Sequence, residues 1–201
     1  MLSYDLIHEK AEDYIVEELK KKGYKAVKQQ RVKNGNIFDV YEPQTKTAYE
    51  VLTAKIIRSA HEQDEAIIAK MFRYLLYAKH LKFYLASFNH EEIEMFHNLG
   101  LEHWHLEFNW DGELIGKSYH KGKTAEEIAK KIFKLLVSYA PLREWTREKR
   151  RKQHPAPEEF KKLTKKYGLP EHFLIGLWRD WRLQWVWKLE KVLPKWVKRL
   201  K

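Results

Sequence analysis

Two short stretches of the chain each set a single carboxylate among apolar residues: Ile37-Phe38-Asp39-Val40-Tyr41 and Ala48-Tyr49-Glu50-Val51-Leu52. Burying an acid is costly unless a cation, a hydrogen-bond network or a metal ion compensates it. If the two stretches pair as neighbouring strands, Asp39 and Glu50 reach the same end and face of a sheet. Two carboxylates converging with a backbone carbonyl make a hard, oxygen-rich site suited to Mg²⁺ or Mn²⁺. The alternative is two acids pointing at solvent. A third acid, Glu12, precedes Ile15 by three residues and Leu19 by seven, which puts it on the apolar stripe of a helix rather than opposite it. His8 stands one turn earlier on that face, while Glu9 and Asp13 fall on better solvated sides. An ionisable pair on a buried face points to a site; a plain acid near a helix end is the alternative.

The elements that must position these groups follow from periodicity and turn chemistry. Ile7, Ala11, Ile15 and Leu19 recur at helical spacing and predict a helix over 3–22, with Ser3 as N-cap and Gly23 as stop. Strands are expected over 24–32, 36–42 and 46–54, the first two joined by a turn at Asn34-Gly35 and the next two by Pro43-Gln44-Thr45. Ser59 and Glu62 have capping-box spacing and open a helix expected to reach residue 80. A strand over 81–88 follows, then a short helix opened by Asn89 and Glu92 and closed by Gly100. Strands over 101–109 and 113–119 flank Trp110-Asp111-Gly112, and Thr124 with Glu127 caps a last helix burying Ile128, Ile132, Leu135 and Tyr139. The core order α-β-β-β-α-β-α-β predicts an α/β domain with a central mixed sheet flanked by helices. Pro141, the run from Arg147 to Lys152 and Pro155-Ala156-Pro157 mark a boundary. The chain thus divides into a core, 1–140, and a helical extension, 141–201, with helices over 157–167 and 170–193.

Composition narrows the function classes. The absence of cysteine excludes disulfide frameworks, thiolate zinc sites and cysteine nucleophiles. No stretch reaches the length of about 18 apolar residues that a membrane span needs, and the N-terminus lacks a basic-then-apolar signal, so an intracellular, cytoplasmic location is expected. Residues 1–140 hold 21 Lys and Arg against 21 Asp and Glu, whereas 141–201 hold 18 against 7, so the whole net charge of +11 sits in the extension. Such a charge suits a polyanion or is a well-solvated helical face. Within the extension Trp178, Trp181 and Trp185 align with Leu174, Leu189 and Val192 in one apolar seam. That seam suits packing on the core or across a dimer first, DNA contact second and a membrane surface third. His103, His105 and Glu107 alternate along one strand. That pattern reads as the polar face of a half-buried strand ahead of a zinc site, which needs more converging ligands.

Taken together, the motifs resemble the PD-(D/E)XK nuclease superfamily, especially the Holliday-junction resolvases of archaea and archaeal viruses. The match lies in the helix His8–Leu19 ending in Gly23-Tyr24, in Phe38-Asp39-Val40 in place of the family's Pro-Asp, and in Tyr49-Glu50-Val51 a short hairpin later; it covers roughly residues 5–110. It implies a restriction-endonuclease-like core and metal-dependent DNA hydrolysis leaving 5′-phosphates. In that reading Asp39, Glu50 and the Val51 carbonyl hold Mg²⁺ or Mn²⁺, with Glu12 binding a second ion or its water shell. The family's lysine stands two residues after the glutamate, where this chain has Leu52. Lys55 is the first substitute, and Lys70 and Arg73 are alternatives. The expected partners are DNA, branched or otherwise, bound through Arg147, Lys149, Arg150, Arg151 and Lys152, and a second copy of the chain, since two strands need two sites. No membrane partner is expected. The resemblance implies a role in recombination, repair or replication. Its alternatives are a restriction-like or mobile-element nuclease and a catalytically inactive DNA-binding protein on the same fold, the last favoured by Leu52.

Overall fold

The computed structural model describes residues 4–32, 36–53, 68, 70–88, 96, 99–138, 158–169, 195 and 198. Helix α1 (Tyr4–Lys21) buries Ile7, Ala11, Ile15 and Leu19 along one face, and Glu12 is buried among them. The helix ends where Gly23 takes a φ of +82°. The Gly23 N–H donates to the Lys20 carbonyl (2.9 Å) and the Tyr24 N–H to the Leu19 carbonyl (2.9 Å). This left-handed cap needs a residue without Cβ. It also uses up Gly23 and Tyr24, so the next strand starts at Val27 rather than at 24.

Six strands follow: β1 (Val27–Arg31), β2 (Ile37–Glu42), β3 (Thr47–Thr53), β4 (His80–Phe88), β5 (His103–Phe108) and β6 (Leu114–His120). They lie side by side in chain order. Strands β1, β2 and β3 form an antiparallel meander, β4 joins β3 and β5 joins β4 in parallel, and β6 closes the sheet antiparallel to β5. A parallel neighbour requires a crossover, and helical residues 70–74 lie in the one between β3 and β4. That helix stops short of the expected 80. The Lys79 and His80 N–H groups both donate to the Lys46 carbonyl (2.8 and 3.3 Å), which draws the chain into extended form for β4.

Alternating residues of the sheet feed two apolar clusters. On one side Ile7, Ala11 and Ile15 of α1 pack on Val40, Val51, Ala86 and Leu106. On the other, Phe72 and Leu75 pack with Phe83, Leu85 and the Ile128, Ile132 and Leu135 side chains of α2 (Ala125–Ser138). Helix α2 begins at the expected capping box: the Thr124 N–H donates to Glu127 Oε2 (2.9 Å) and the Glu127 N–H to Thr124 Oγ1 (3.2 Å). The architecture is therefore α/β, a mixed six-stranded sheet flanked by helices. Helix α3 (Glu158–Lys166) lies past the expected boundary, and Leu169 just beyond it joins the α2-side cluster. Among the described residues, no helix is long and apolar enough to cross a membrane.

One backbone contact locks the start of β5 to the chain entering α2. The Lys123 N–H donates to the Gly100 carbonyl (2.7 Å) and the Glu102 N–H to the Lys123 carbonyl (2.9 Å). A Cβ at Gly122 would sit 2.4 Å from the Gly100 oxygen and 2.7 Å from the Glu102 nitrogen. Both are backbone atoms that cannot swing away. Gly122→Ala is therefore expected to destabilise the fold by about 2–3 kcal/mol in urea denaturation; an unchanged midpoint would show that the two segments do not approach this closely.

Candidate metal and phosphodiester site

The β2–β3 register pairs Val40 with Tyr49, Tyr41 with Ala48 and Glu42 with Thr47. The ladder ends there, short of Asp39 and Glu50, although the two carboxylates are close enough for the charge of Asp39 to act on Glu50. The regular backbone pattern gives way at that step: the Val51 N–H donates instead to Asp39 Oδ2 at 2.8 Å. Strand β2 turns over here, because Phe38 packs in the α2-side cluster while Val40, two residues on, packs in the α1-side cluster. The facing position of β1 is distorted too. Gln29 has a φ of +51°, between the regular pairs Lys28–Val40 and Gln30–Phe38. A left-handed residue with a side chain costs roughly 1–2 kcal/mol. The distortion leaves the Asp39 carboxylate at the junction of β1, β3 and α1.

Glu50 is fully buried. One of its oxygens pairs with Lys70 Nζ from the crossover helix, and Oε2 has no hydrogen-bond partner among the described residues. Burial, reinforced by the nearby Asp39 charge and only partly offset by Lys70, pushes its pKa up to about 8. Glu42, the next acid along β2, makes an instructive contrast. It is equally buried, but both oxygens take bonds from its own turn: the Thr45 N–H (2.8 Å), the Thr45 hydroxyl and the Gln44 N–H. Burial works against its charge, yet those donors win and its pKa falls below the ordinary value. Glu42 is a satisfied structural acid; Glu50 is not.

From α1, His8 Nδ1 lies 3.4 Å from Glu12 Oε1 and His8 Nε2 lies 3.5 Å from Asp39 Oδ2. The bond to Asp39 is the main reason that the His8 pKa is raised, against the opposing effect of burial. Burial raises the Glu12 pKa despite His8 and Lys28. Lys28 Nζ reaches Glu12 Oε2 (3.3 Å) and Asp13 Oδ1 (2.8 Å), and the Gln29 amide donates to Glu12 Oε1.

The structure places Glu12 and Asp39 on either side of His8, Glu50 near Asp39, and the Val51 N–H on Asp39, and it puts Lys70, one of the alternatives to Lys55, on Glu50. Lys55 itself lies outside the described residues, as do Arg147, Lys149, Arg150, Arg151, Lys152 and the tryptophan seam. Lys28 and Gln29 were not foreseen: β1 reads Val-Lys-Gln-Gln-Arg, with no apolar stripe to tell its faces apart. The expectation for β5 needs a correction. His103 and His105 are buried, not on a half-exposed polar face, because His105 Nε2 meets Ser87 Oγ (2.6 Å) and His103 stacks between Phe96 and His120.

No family model, curated protein or solved structure matches the chain. What can be said of its chemistry rests on the residues. The three donors His8, Glu12 and Asp39 lie within 4.8 Å of one another, and Glu50, outside that group but near Asp39, has a buried oxygen without a hydrogen-bond partner among the described residues. A buried acid with an orphaned oxygen, beside two further acids, suits a divalent cation better than it suits an apolar interior.

Proposed function

We propose that the chain is a metal-dependent DNA endonuclease of the resolvase-like type, built on a restriction-endonuclease-like core and acting in recombination, repair or replication. The observation that carries this reading is the closeness of the Asp39 and Glu50 carboxylates, near enough for one charge to act on the other, with Lys70 on the buried Glu50. The α1 helix, the antiparallel meander and the parallel β4 agree with the order that such a core requires.

In this reading Asp39, Glu50 and the Val51 carbonyl hold Mg²⁺ or Mn²⁺. Such an ion neutralises phosphoryl charge and makes a bound water acidic enough to attack. The chain's own groups do the rest. The Val51 amide fixes the Asp39 carboxylate, and Gln29 and Lys28 fix Glu12. Lys70 supplies the ammonium that the family places two residues after the glutamate, and it stabilises negative charge developing on the phosphate. It thereby answers the main argument for an inactive relative, the presence of Leu52. For the polyanion itself, Lys46, Lys79, Lys195 and Lys198 line an open cleft of about 710 Å³ together with Tyr77. Four ammonium groups in one cleft suit a phosphate backbone. The pairing of two copies on a branched substrate belongs to the same proposal.

The deciding experiment offers the full chain four-way junction, flap and linear duplex DNA with Mg²⁺ or Mn²⁺, and with EDTA. Ion-dependent cleavage with preference for the junction is the expected result. Equal cutting of linear duplex would move the reading to a restriction-like or mobile-element nuclease. Binding without cleavage under every ion would overturn it in favour of the inactive DNA-binding protein.

A further inference from the structure

Aromatic rings run in a row across the α1-side face of the sheet, one from each of four neighbouring strands. Between ring centroids, Tyr49 of β3 lies 6.2 Å from Tyr84 of β4, Tyr84 lies 6.3 Å from Trp104 of β5, and Trp104 lies 4.8 Å from Tyr119 of β6. Strand register sets the row, since Tyr84 stands opposite Trp104 and Trp104 opposite Tyr119. The row opens toward the sheet edge: Tyr49 is buried, Tyr84 and Trp104 are half-buried, and Tyr119 is 47% exposed. Helix α1 separates it from the acids of the candidate site. Glu12 meets Lys28 and Gln29 of β1, whereas Tyr14 and Glu18, on the other flank of the helix, meet Lys117 of β6. Cations attend the rings. Lys117 Nζ donates to the Tyr14 hydroxyl at 2.6 Å and lies 5.3 Å from the Trp104 centroid, and the exposed Lys82 has its Nζ 6.0 Å from that of Tyr49. Toward the open end, Lys82, Glu102, Trp104 and Tyr119 border a cleft of about 200 Å³. Pockets for drug-sized ligands start at roughly 300 Å³, so this one suits a single planar ring system. The acids beside the row are engaged: Glu18 by Lys21 at 3.2 Å, and Glu102 by the Tyr119 hydroxyl at 3.1 Å.

We infer that Tyr84, Trp104 and Tyr119, with Lys82 and Lys117, form a stacking platform for the bases of an unpaired DNA strand, on a face apart from the metal site. Every base has a π-face, so a row of rings takes successive bases whatever their sequence, while ammonium groups beside it meet the phosphates. Cross-strand aromatic pairs also stabilise sheets without binding anything. Here the row spans four strands, turns its most exposed ring to the edge, and ends at a cleft of base size between a lysine and two rings. The net charge of +11 favours a polyanion over a neutral ligand such as a sugar. A duplex keeps its base faces stacked inside and gains nothing from the rings. The choice of DNA rests on the nuclease reading; the stacking does not.

The test is a fluorescence-anisotropy titration of labelled oligothymidylate, and of a duplex of the same length, with the full chain in EDTA, where no strand is cut. Tyr119→Ala and Trp104→Leu should each weaken single-strand binding at least about fivefold, the lower end of what one stacked base is worth, and leave duplex affinity unchanged. Tyr119→Phe keeps the ring and loses only the hydroxyl bond to Glu102, so it should bind like wild type. Lys82→Gln and Lys117→Gln should each reduce the slope of log affinity against log salt by about 0.7. Thermal melting shows whether each variant is folded. Wild-type single-strand affinity in folded Tyr119→Ala and Trp104→Leu would overturn the inference and leave the row as sheet packing. Equal losses on single strand and duplex would overturn it too, as would tighter binding of a neutral oligosaccharide or of oligouridylate. No step needs an ion, so failure of the platform and failure of the metal centre are read separately: the first in these titrations, the second in the cleavage assay.

Discussion

Under the proposed nuclease reading, Glu50→Gln should abolish ion-dependent cleavage and, in the same protein, make the ion-free fold more stable at alkaline pH. The two effects have one cause. Glu50 is held in the interior with one oxygen on Lys70 and the other unmatched among the described residues. That arrangement penalises the bare carboxylate and, in the proposed reading, serves an ion. Its pKa stands at about 8 against an ordinary 4.5. A group whose pKa is raised on folding gives its full contribution to stability below the unfolded value, and loses it as pH rises through the folded one. The ion-free protein should therefore weaken between about pH 4.5 and pH 8, the window set by the two values. A tenfold change in the acid's ionisation constant is worth about 1.4 kcal/mol. Taken over the whole window, that bounds the loss at about 5 kcal/mol, with the attraction of Lys70 for the ionised form already included. The glutamine cannot ionise, so its denaturation midpoint should stay nearly flat over that window, apart from the contribution of His8. Cleavage, by contrast, should fall at least about 10³-fold, the scale on which losing one charge-stabilising group acts in such a site. Urea midpoints at a series of pH values in EDTA, paired with cleavage rates in Mg²⁺, check both halves. A glutamine variant that weakens with pH as steeply as wild type would show that Glu50 is not the group being ionised.

The separation between what the sequence disclosed and what it hid follows the range of the contacts. Asp39 and Glu50 stood out because each interrupts an apolar strand, and Glu12 because it interrupts an apolar helical stripe. Those are local patterns, written within a few residues. The register that brings the Asp39 and Glu50 ends of the two strands together was also accessible, since a four-residue turn fixes how two strands pair. Lys70 was visible only as one of several basic residues. It is twenty positions from Glu50, and its approach depends on where the crossover helix lies on the sheet. Gln29 was invisible for a different reason: it takes a left-handed backbone beside Asp39, and nothing in its own residue type demands it. His103 and His105 show the reverse error. Their alternation correctly placed them on one face, but the groups that cover that face, Phe96, Ser87 and His120, come from other elements. Glu42 warns that an acid in an apolar strand is not by itself a site. Only the comparison of its satisfied oxygens with the orphaned one on Glu50 separates structure from chemistry.

Lys70, proposed to stand in for a lysine at position 52, yields the second large effect. Lys70→Met should lower the cleavage rate by about 10²–10³-fold, because the ammonium near the reacting phosphate is lost in a site where charge is poorly screened. It should also leave Glu50 buried without its counter-charge. Breaking a buried pair by removing one partner costs about 3–5 kcal/mol when the remaining group stays charged. Glu50 has an escape, protonation, so the cost should be small in mild acid and emerge as pH rises above 8, where wild-type Glu50 ionises against Lys70. Loss of activity by itself would not establish that Lys70 replaces the family's lysine. The stronger check moves the charge. Leu52 follows Glu50 by two residues on the same strand, so it shares its face, and it packs against the cluster that contains Phe72 of the crossover helix. A lysine at 52 would enter the same space from the strand side. Lys70→Leu combined with Leu52→Lys should therefore recover cleavage to within about tenfold of wild type, while Lys70→Leu alone stays near the methionine level. Wild-type cleavage by Lys70→Met would mean that the stabilising cation comes from elsewhere in the chain, with Lys55 the first position to examine. Loss in both single and double variants would mean that the helix, and not merely its charge, has to deliver the ammonium.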